Sequence, residues 1–310
     1  MKVLVSGASG LIGQETCALL QAQGHEVRSL VRGLDRTPES SNSENATGGH
    51  VVWNPAAPLD SAKLADVDVI LHLAGRPVAT RWSAKAKREI RESRVRGTES
   101  IARAAAEAFR ATGHPRALIC SSAIGYYGSR GDEELTEDNE PGLGFLAEVC
   151  RAWEEAAHPA ALAGVRVAHL RTSLVLSPKG GALAKMLPAF RLGVAGKLGS
   201  GRQWWSWVSL RDAARAFLFA AEDEHVHGAL NLAAPHPVTN AEFTRTLGRV
   251  LRRPTLLAAP AFVLRMVAGE MANEMLLASQ KVVPERLLQA GFRFEDERLE
   301  PALRKMFDSI

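Results

Sequence analysis

The run Gly7-Ala-Ser-Gly10-Leu-Ile-Gly13 constrains this chain more than any other feature. It follows directly on an apolar stretch, Lys2–Ser6, that reads as a first strand. It leads into Ile12, Thr16, Leu19 and Leu20, which recur at helical spacing until Gly24 stops them. Glycines at such a junction permit a tight turn and let a ligand approach the backbone closely. The N–H groups at the start of the following helix then offer donors and positive dipole to an anion. A glycine pattern alone is weak, but one set between a strand and an amphipathic helix is the context for a dinucleotide pyrophosphate. Gly7, Ser9, Gly10, Leu11, Ile12 and Gly13 are therefore candidate cofactor-binding residues.

Short β-branched runs alternate with longer helical patterns through the first half, as in a parallel α/β sheet. Further strands are expected at Glu26–Val31, Val51–Trp53, Val67–Leu73, Ala117–Ser121 and Val165–Leu170. Ile101, Ala105, Ala108 and Phe109 mark a helix that Gly113 and Pro115 end, and Leu146–Ala157 reads as another. Thr37–Gly49 is polar and turn-rich, a loop. The expected fold is a Rossmann-like, doubly wound parallel α/β sheet with a smaller C-terminal substrate lobe. The nucleotide-binding core covers 1–170, with 206–234 returning to it; 171–205 and 235–310 make the lobe. Ser209-x-x-Asp212 and Thr239-x-x-Glu242 each open a helix in that second half.

Composition excludes several classes. With 46% hydrophobic and 23% charged residues, the 310-residue chain is neither disordered nor fibrous. No apolar run approaches the roughly 18–20 residues of a membrane span, and no signal-peptide pattern precedes the first strand. The three cysteines are scattered, in keeping with reduced thiols and a cytoplasmic protein. A formal charge of +4 is mild. The basic run Lys85–Arg96 is interrupted by Glu89 and Glu92 and lacks stacking aromatics, so no nucleic-acid partner is expected.

The Gly-x-x-Gly-x-x-Gly spacing resembles the extended short-chain dehydrogenase/reductase superfamily, and further residues follow that resemblance. Strand two ends at Val31-Arg32, where an NAD-selective site would carry an acid for the ribose 2′-hydroxyl. Arg32 suits a 2′-phosphate instead, or is a solvated surface arginine; Asp35 lies three residues beyond the strand. The expected cofactor is NADP(H). Leu73-Ala74-Gly75 matches the superfamily's second glycine-bearing strand end, beneath the adenosine side, while His72 reads as a packed strand residue. In Arg94-Val-Arg-Gly-Thr98, Arg94 replaces the asparagine usual in relatives at a position facing the cofactor, and Glu89 is placed to lend its carboxylate to the same site.

The superfamily's acid/base pair is a Tyr-x-x-x-Lys on a helix. This chain has two tyrosines, Tyr126 and Tyr127, and neither is followed by lysine four residues on. In the superfamily's register Leu146 falls at the tyrosine and Cys150 at the lysine. Ser121 and Ser122 occupy the serine region: Ser121 is a cofactor candidate and Ser122 a catalytic one that could hydrogen-bond substrate. Tyr127 is the second catalytic candidate, or a wall of the nicotinamide pocket. Cys150 reads as a small buried thiol rather than a nucleophile.

The stretches Ser122-Ala-Ile-Gly-Tyr-Tyr-Gly128, Phe145-Leu-Ala-Glu-Val-Cys-Arg-Ala-Trp-Glu154, Gly199-Ser-Gly-Arg-Gln-Trp-Trp-Ser-Trp207 and Leu277-Ala-Ser-Gln-Lys-Val-Val-Pro-Glu-Arg-Leu287 resemble the epimerase family, an atypical branch of that superfamily. The resemblance spans the whole chain, including the small C-terminal domain. It implies NADP(H) and a Rossmann-like fold but no particular substrate. One departure is Ser209, where relatives usually carry histidine. Trp204, Trp205 and Trp207 either pack between the lobes or line the substrate cleft. Arg171 either anchors an anionic substrate or pairs with Asp212, and Ser173 lies where relatives pass the nicotinamide. No metal-ligand spacing appears. The expected activity is oxidation or reduction of a small-molecule carbonyl, hydroxyl or enone without the usual pair. The alternative is a non-catalytic NADP(H)-binding redox sensor.

Overall fold

A computed structural model describes residues 1–33, 49–55 and 57–308. Its centre is a seven-stranded sheet built from β1 (Lys2–Ser6), β2 (Glu26–Arg32), β3 (His50–Trp53), β4 (Val69–His72), β5 (Ala117–Ala123), β7 (Arg166–Thr172) and β11 (Gly228–Leu232). The order is β3-β2-β1-β4-β5-β7-β11, and every pairing is parallel. Chain direction across the sheet reverses between β1 and β4, and ligands of open α/β sheets bind outside the strand carboxyl ends at such a point.

Strand residues alternate between two cores, because successive side chains point to opposite faces. Val3, Val5, Val69, Leu71 and Ile119 face α1 (Leu11–Ala22) and α6 (Leu210–Glu222), with Leu20 and Phe217 fully buried between them. Leu4, Ile70 and Leu118 face α2 (Ala84–Thr112) and α4 (His158–Leu162), through Ile101, Ala105 and Ala160. Both faces are covered, so the strands read as near-continuous apolar runs. The fold class expected from the alternation is the one observed. The segment after residue 206 contributes β11 to the sheet edge beside β7 and α6 to the face beside α1.

Local signals act as the sequence suggests. Ser83 caps α2 by accepting the Ala86 N–H, and Gly113 ends that helix at φ +77°. The hydroxyls of Ser209 and Thr239 accept the N–H groups of Asp212 and Glu242, opening α6 and α7 (Asn240–Leu251). The helix expected at Leu146–Ala157 is α3 (Phe145–Glu155), and Pro159 lies in the first turn of α4, where its missing N–H is harmless. Apart from Gly49, the loop expected at Thr37–Gly49 lies outside the described residues, as does Asp35.

The smaller lobe packs α5 (Gly181–Arg191), α7 and α10 (Leu299–Asp308) around Leu187, Phe190, Trp207, Phe243, Leu247 and Leu303. Two short pairs lie within the second half, β8 (Leu174–Leu176) with β10 (Trp207–Ser209) and β9 (Trp204–Trp205) with β12 (Val238–Thr239), and a third, β6 (Glu134–Leu135) with β13 (Lys281–Val282), ties it to the first. Two further helices, α8 (Ala261–Ala268) and α9 (Glu285–Gln289), complete it; α8 has no buried residue and is lobe surface. Among the described residues, no helix is long and apolar enough to cross a membrane and no metal-ligand cluster occurs.

Candidate functional site

The glycine loop stands at the β1/β4 reversal, and its geometry explains its glycines. Gly7 has φ +76°, and a Cβ there would lie 2.8 Å from the Ala74 nitrogen. At Gly13 a Cβ would lie 2.2 Å from the Gly7 carbonyl oxygen. The turn closes through the Gly10 N–H, which donates to the Gly7 carbonyl at 2.9 Å. Gly10 caps α1 without a side-chain hydrogen bond, and no acidic side chain occupies the first turn. The leading N–H groups of that helix have no i−4 acceptor, so Leu11, Ile12 and Gly13 present donors to the cleft, with Ser9 exposed beside them. This cradle fits a pyrophosphate: it is close, positive and free of side chains.

Two strand ends flank the loop. Arg32 closes β2 opposite Trp53 of β3, with its side chain exposed. Leu73, Ala74 and Gly75 continue from β4 at the rim, Gly75 exposed. His72 is buried beneath them as a packed residue. Its Nδ1 lies 2.6 Å from the Ser6 hydroxyl, and its Nε2 has no hydrogen-bond partner among the described residues. Burial, with the Arg94 charge adding to it, pushes the His72 imidazole down to about 4.

Arg94 arrives at this rim from α2. Its Nη1 donates to the carbonyls of Arg76 (2.9 Å) and Ile90 (3.1 Å), and its guanidinium lies 4.8 Å from the centre of the Trp153 ring on α3. The Trp153 indole N–H donates to the buried Thr98 hydroxyl at 2.9 Å, which fixes the platform. The carboxylate of Glu89, the other residue expected here, pairs with the Arg76 guanidinium at 2.9 Å.

The region of the missing acid/base pair is occupied by a buried polar network. Leu146 and Cys150 sit on α3, and burial, reinforced by the charge of Glu154, pushes the Cys150 thiol up to about 12. The thiol is free and buried. The Ser122 hydroxyl donates to Glu154 at 2.6 Å, so the candidate serine is held by a carboxylate. Arg171 donates twice to Glu154 (2.9 Å each) and once to the Tyr127 hydroxyl, also at 2.9 Å. Tyr127 donates onward to Asn231 at 2.7 Å and is fully buried. Burial pushes its phenol up to about 12.

With its donor and acceptor both used and no exposed edge, Tyr127 braces β5, β7 and β11; the expectation of a proton-transferring Tyr127 gives way to that role. Arg171 likewise neither reaches Asp212 nor awaits an anionic substrate. Burial alone would lower its pKa, but the hydrogen bonds and charge of Glu154 raise it above the ordinary arginine value. Asp212 instead pairs with Arg215 and accepts the N–H groups of Glu295 and Asp296. Ser121 is half-buried at the end of β5, and the Ser173 hydroxyl donates to the Leu232 carbonyl at 2.8 Å.

Among the tryptophans, Trp207 is fully buried and Trp205 tilts against Phe243, both in the lobe core. Trp204 is half-buried, donates to Asp132 and lies 5.3 Å from the Lys281 ammonium. Two residues here carry no sequence signal. Glu274, from the C-terminal segment, accepts the N–H groups of Phe145 (2.9 Å) and Leu146 (2.8 Å), capping α3 across 128 residues. Glu154 lies inside a quoted motif, yet its partners are 32 and 17 residues away.

Comparison with known proteins agrees with this architecture. Residues 3–233 match the NAD dependent epimerase/dehydratase family, and residues 259–306 match a domain of unknown function, DUF1731. The epimerase family protein Mb2239 of Mycobacterium bovis is 43% identical over 303 residues, 97% of this chain and 96% of its own. The crystal structure of human epimerase family protein SDR39U1 (isoform 2) with NADPH superposes at a TM-score of 0.87, with 32% identity and full coverage of both chains. A nucleoside-diphosphate sugar epimerase from Corynebacterium glutamicum superposes at 0.78 with 35% identity, covering 99% of this chain and 58% of that one. With three quarters of its length under one family model and relatives aligned end to end, the chain belongs to the NAD dependent epimerase/dehydratase family, in the atypical branch of the extended short-chain dehydrogenase/reductases that also carries DUF1731.

Proposed function

We propose that this chain binds NADP(H) in the β1/β4 crevice and serves as an oxidoreductase on a small molecule bearing a carbonyl, hydroxyl or enone. The observation that carries the reading is the side-chain-free cradle of Gly7, Gly10 and Gly13 at an uncapped α1. The human relative crystallised with NADPH supports the choice of cofactor. The α1 amides would hold the pyrophosphate, Arg32 would meet the 2′-phosphate, and Leu73–Gly75 would floor the adenosine side. Ser121 and Arg94 would serve the other half of the crevice. When bound, NADPH supplies a hydride from its nicotinamide ring.

Neither Leu146 nor Cys150 can transfer a proton here, and Tyr127 is enclosed. In carbonyl reduction the hydride goes to carbon and a proton from water goes to oxygen, giving the alcohol and NADP⁺. The protein's share is then to orient the reactants and stabilise charge. Titration of NADPH and NADH by nicotinamide fluorescence tests the cofactor: NADPH binds more tightly, and Arg32→Ala erases the preference. Tighter binding of NADH would overturn it. A second reading, a redox sensor that binds but does not consume NADPH, is favoured by the vacated tyrosine and lysine positions. Incubation with NADPH deuterated at C4 separates the two, since only an oxidoreductase transfers the label to a carbonyl acceptor.

A further inference from the structure

Arg94 is a half-buried cation in the cleft with no carboxylate partner among the described residues. Its neighbour Glu89 is committed to Arg76. Burial holds its pKa below the ordinary arginine value. A guanidinium removed from water without a counter-ion is unfavourable unless a ligand compensates it. The geometry says which edge is offered. Nη1 is spent on the Arg76 and Ile90 carbonyls, and one face lies on Trp153. The remaining Nε–Nη2 edge has two parallel N–H donors, the fork that matches a carboxylate. A Cβ on Gly75 would lie 3.3 Å from the Arg94 Cζ and 3.4 Å from Nη2, so glycine there leaves the guanidinium uncrowded.

The cofactor's own anions have other hosts. In the reading proposed above the α1 amides and Arg32 take them, which leaves the Arg94 fork, beside Cys150 at the vacated lysine position, for a further anion. Resting on the NADP(H) reading above, we propose that Arg94 is the anion receptor of the substrate subsite, and that the substrate carries a carboxylate next to the carbon that exchanges hydride. Arg94 thereby puts a fixed positive charge, delivered from α2, where the superfamily's usual pattern has a lysine on α3. Trp153 and Thr98 are positioning residues that hold the fork in plane.

The probe is oxamate, a small carboxylate that mimics a 2-oxo acid, titrated calorimetrically into the protein saturated with NADP⁺. Wild type binds oxamate and does not bind the neutral analogue acetamide. Arg94→Gln, measured with NADP⁺ raised until it saturates the variant, weakens oxamate by about 10- to 100-fold, the range of a lost charge-assisted pair. Arg94→Lys keeps the charge without the fork and falls between; it carries the test if circular dichroism shows Arg94→Gln unfolded. Oxamate binding unchanged in the variants, or no oxamate binding by the wild-type NADP⁺ complex, overturns the proposal. Failure of wild type to bind NADPH at all is a different result: it removes the cofactor reading, and this inference with it.

Discussion

Replacing Glu154 by glutamine should destabilise the protein far more than an isosteric change suggests. The carboxylate accepts from Ser122 once and from Arg171 twice, and the Arg171 side chain is only 5% exposed. Glutamine keeps one acceptor oxygen, but its amide turns a donor toward donors and leaves the guanidinium charge uncompensated. Removing one partner of a buried ion pair costs about 3–5 kcal/mol. Unfolding entropy near 60 °C is about 2.1 cal/mol/K per residue, so for a chain of this length each kcal/mol lowers Tm by roughly 1.5 °C. The expected fall is thus about 5–8 °C by scanning calorimetry. The companion variant Glu154→Leu/Arg171→Met removes both charges together and should recover most of that loss, because a well-packed apolar pair can match a buried ion pair. A Tm for Glu154→Gln within about 1 °C of wild type would refute the reasoning. So would a double variant less stable than both single ones.

Two other outcomes follow from the same geometry. Gly13→Ala places a methyl 2.2 Å from the Gly7 oxygen, so the loop must move off its amides; NADPH affinity should drop at least about tenfold, a loss of some 1.4 kcal/mol, with the helical circular dichroism signal retained. The buried His72, pushed down to about 4 from an ordinary 6.5, stays neutral in the fold but takes up a proton when unfolded. Its contribution is present above pH 6.5 and is lost as pH falls through 4, about 3 kcal/mol in all. Urea midpoints at pH 7 and pH 4 should therefore converge in His72→Asn, and an unchanged acid loss would show that other groups carry it.

Legibility followed locality. The phosphate loop, the caps at Ser209 and Thr239 and the end of α2 at Gly113 are set by residues within a few positions of one another, and the sequence reads them correctly. Arg94 stands out in the sequence because it interrupts a helix motif, Val95-Arg-Gly-Thr98, where the superfamily usually carries asparagine. Its relation to Glu89 was not legible. Five residues along a helix brings two side chains near in angle, but the loop after β4 brings Arg76 to the Glu89 carboxylate. Tyr127 and Ser122 were legible as polar residues at a strand end, where the superfamily keeps its chemistry. Their enclosure by Glu154, Arg171 and Asn231 depends on three further elements.

The sequence by itself determined the parallel α/β class, the glycine turn between β1 and α1, and the absence of a tyrosine–lysine pair. These rest on glycine's conformational freedom, on the period-two burial of strands, and on which side chains exist at all. Only the tertiary structure decided which charges are paired and which are not. Glu154 neutralises Arg171 because α3 lays the carboxylate across the end of β7, and Glu274 reaches α3 because the C-terminal segment folds back over it. Among the described residues, no carboxylate pairs with Arg94. Pairing is a matter of ångströms in space between residues tens of positions apart, and no local pattern in the chain records it.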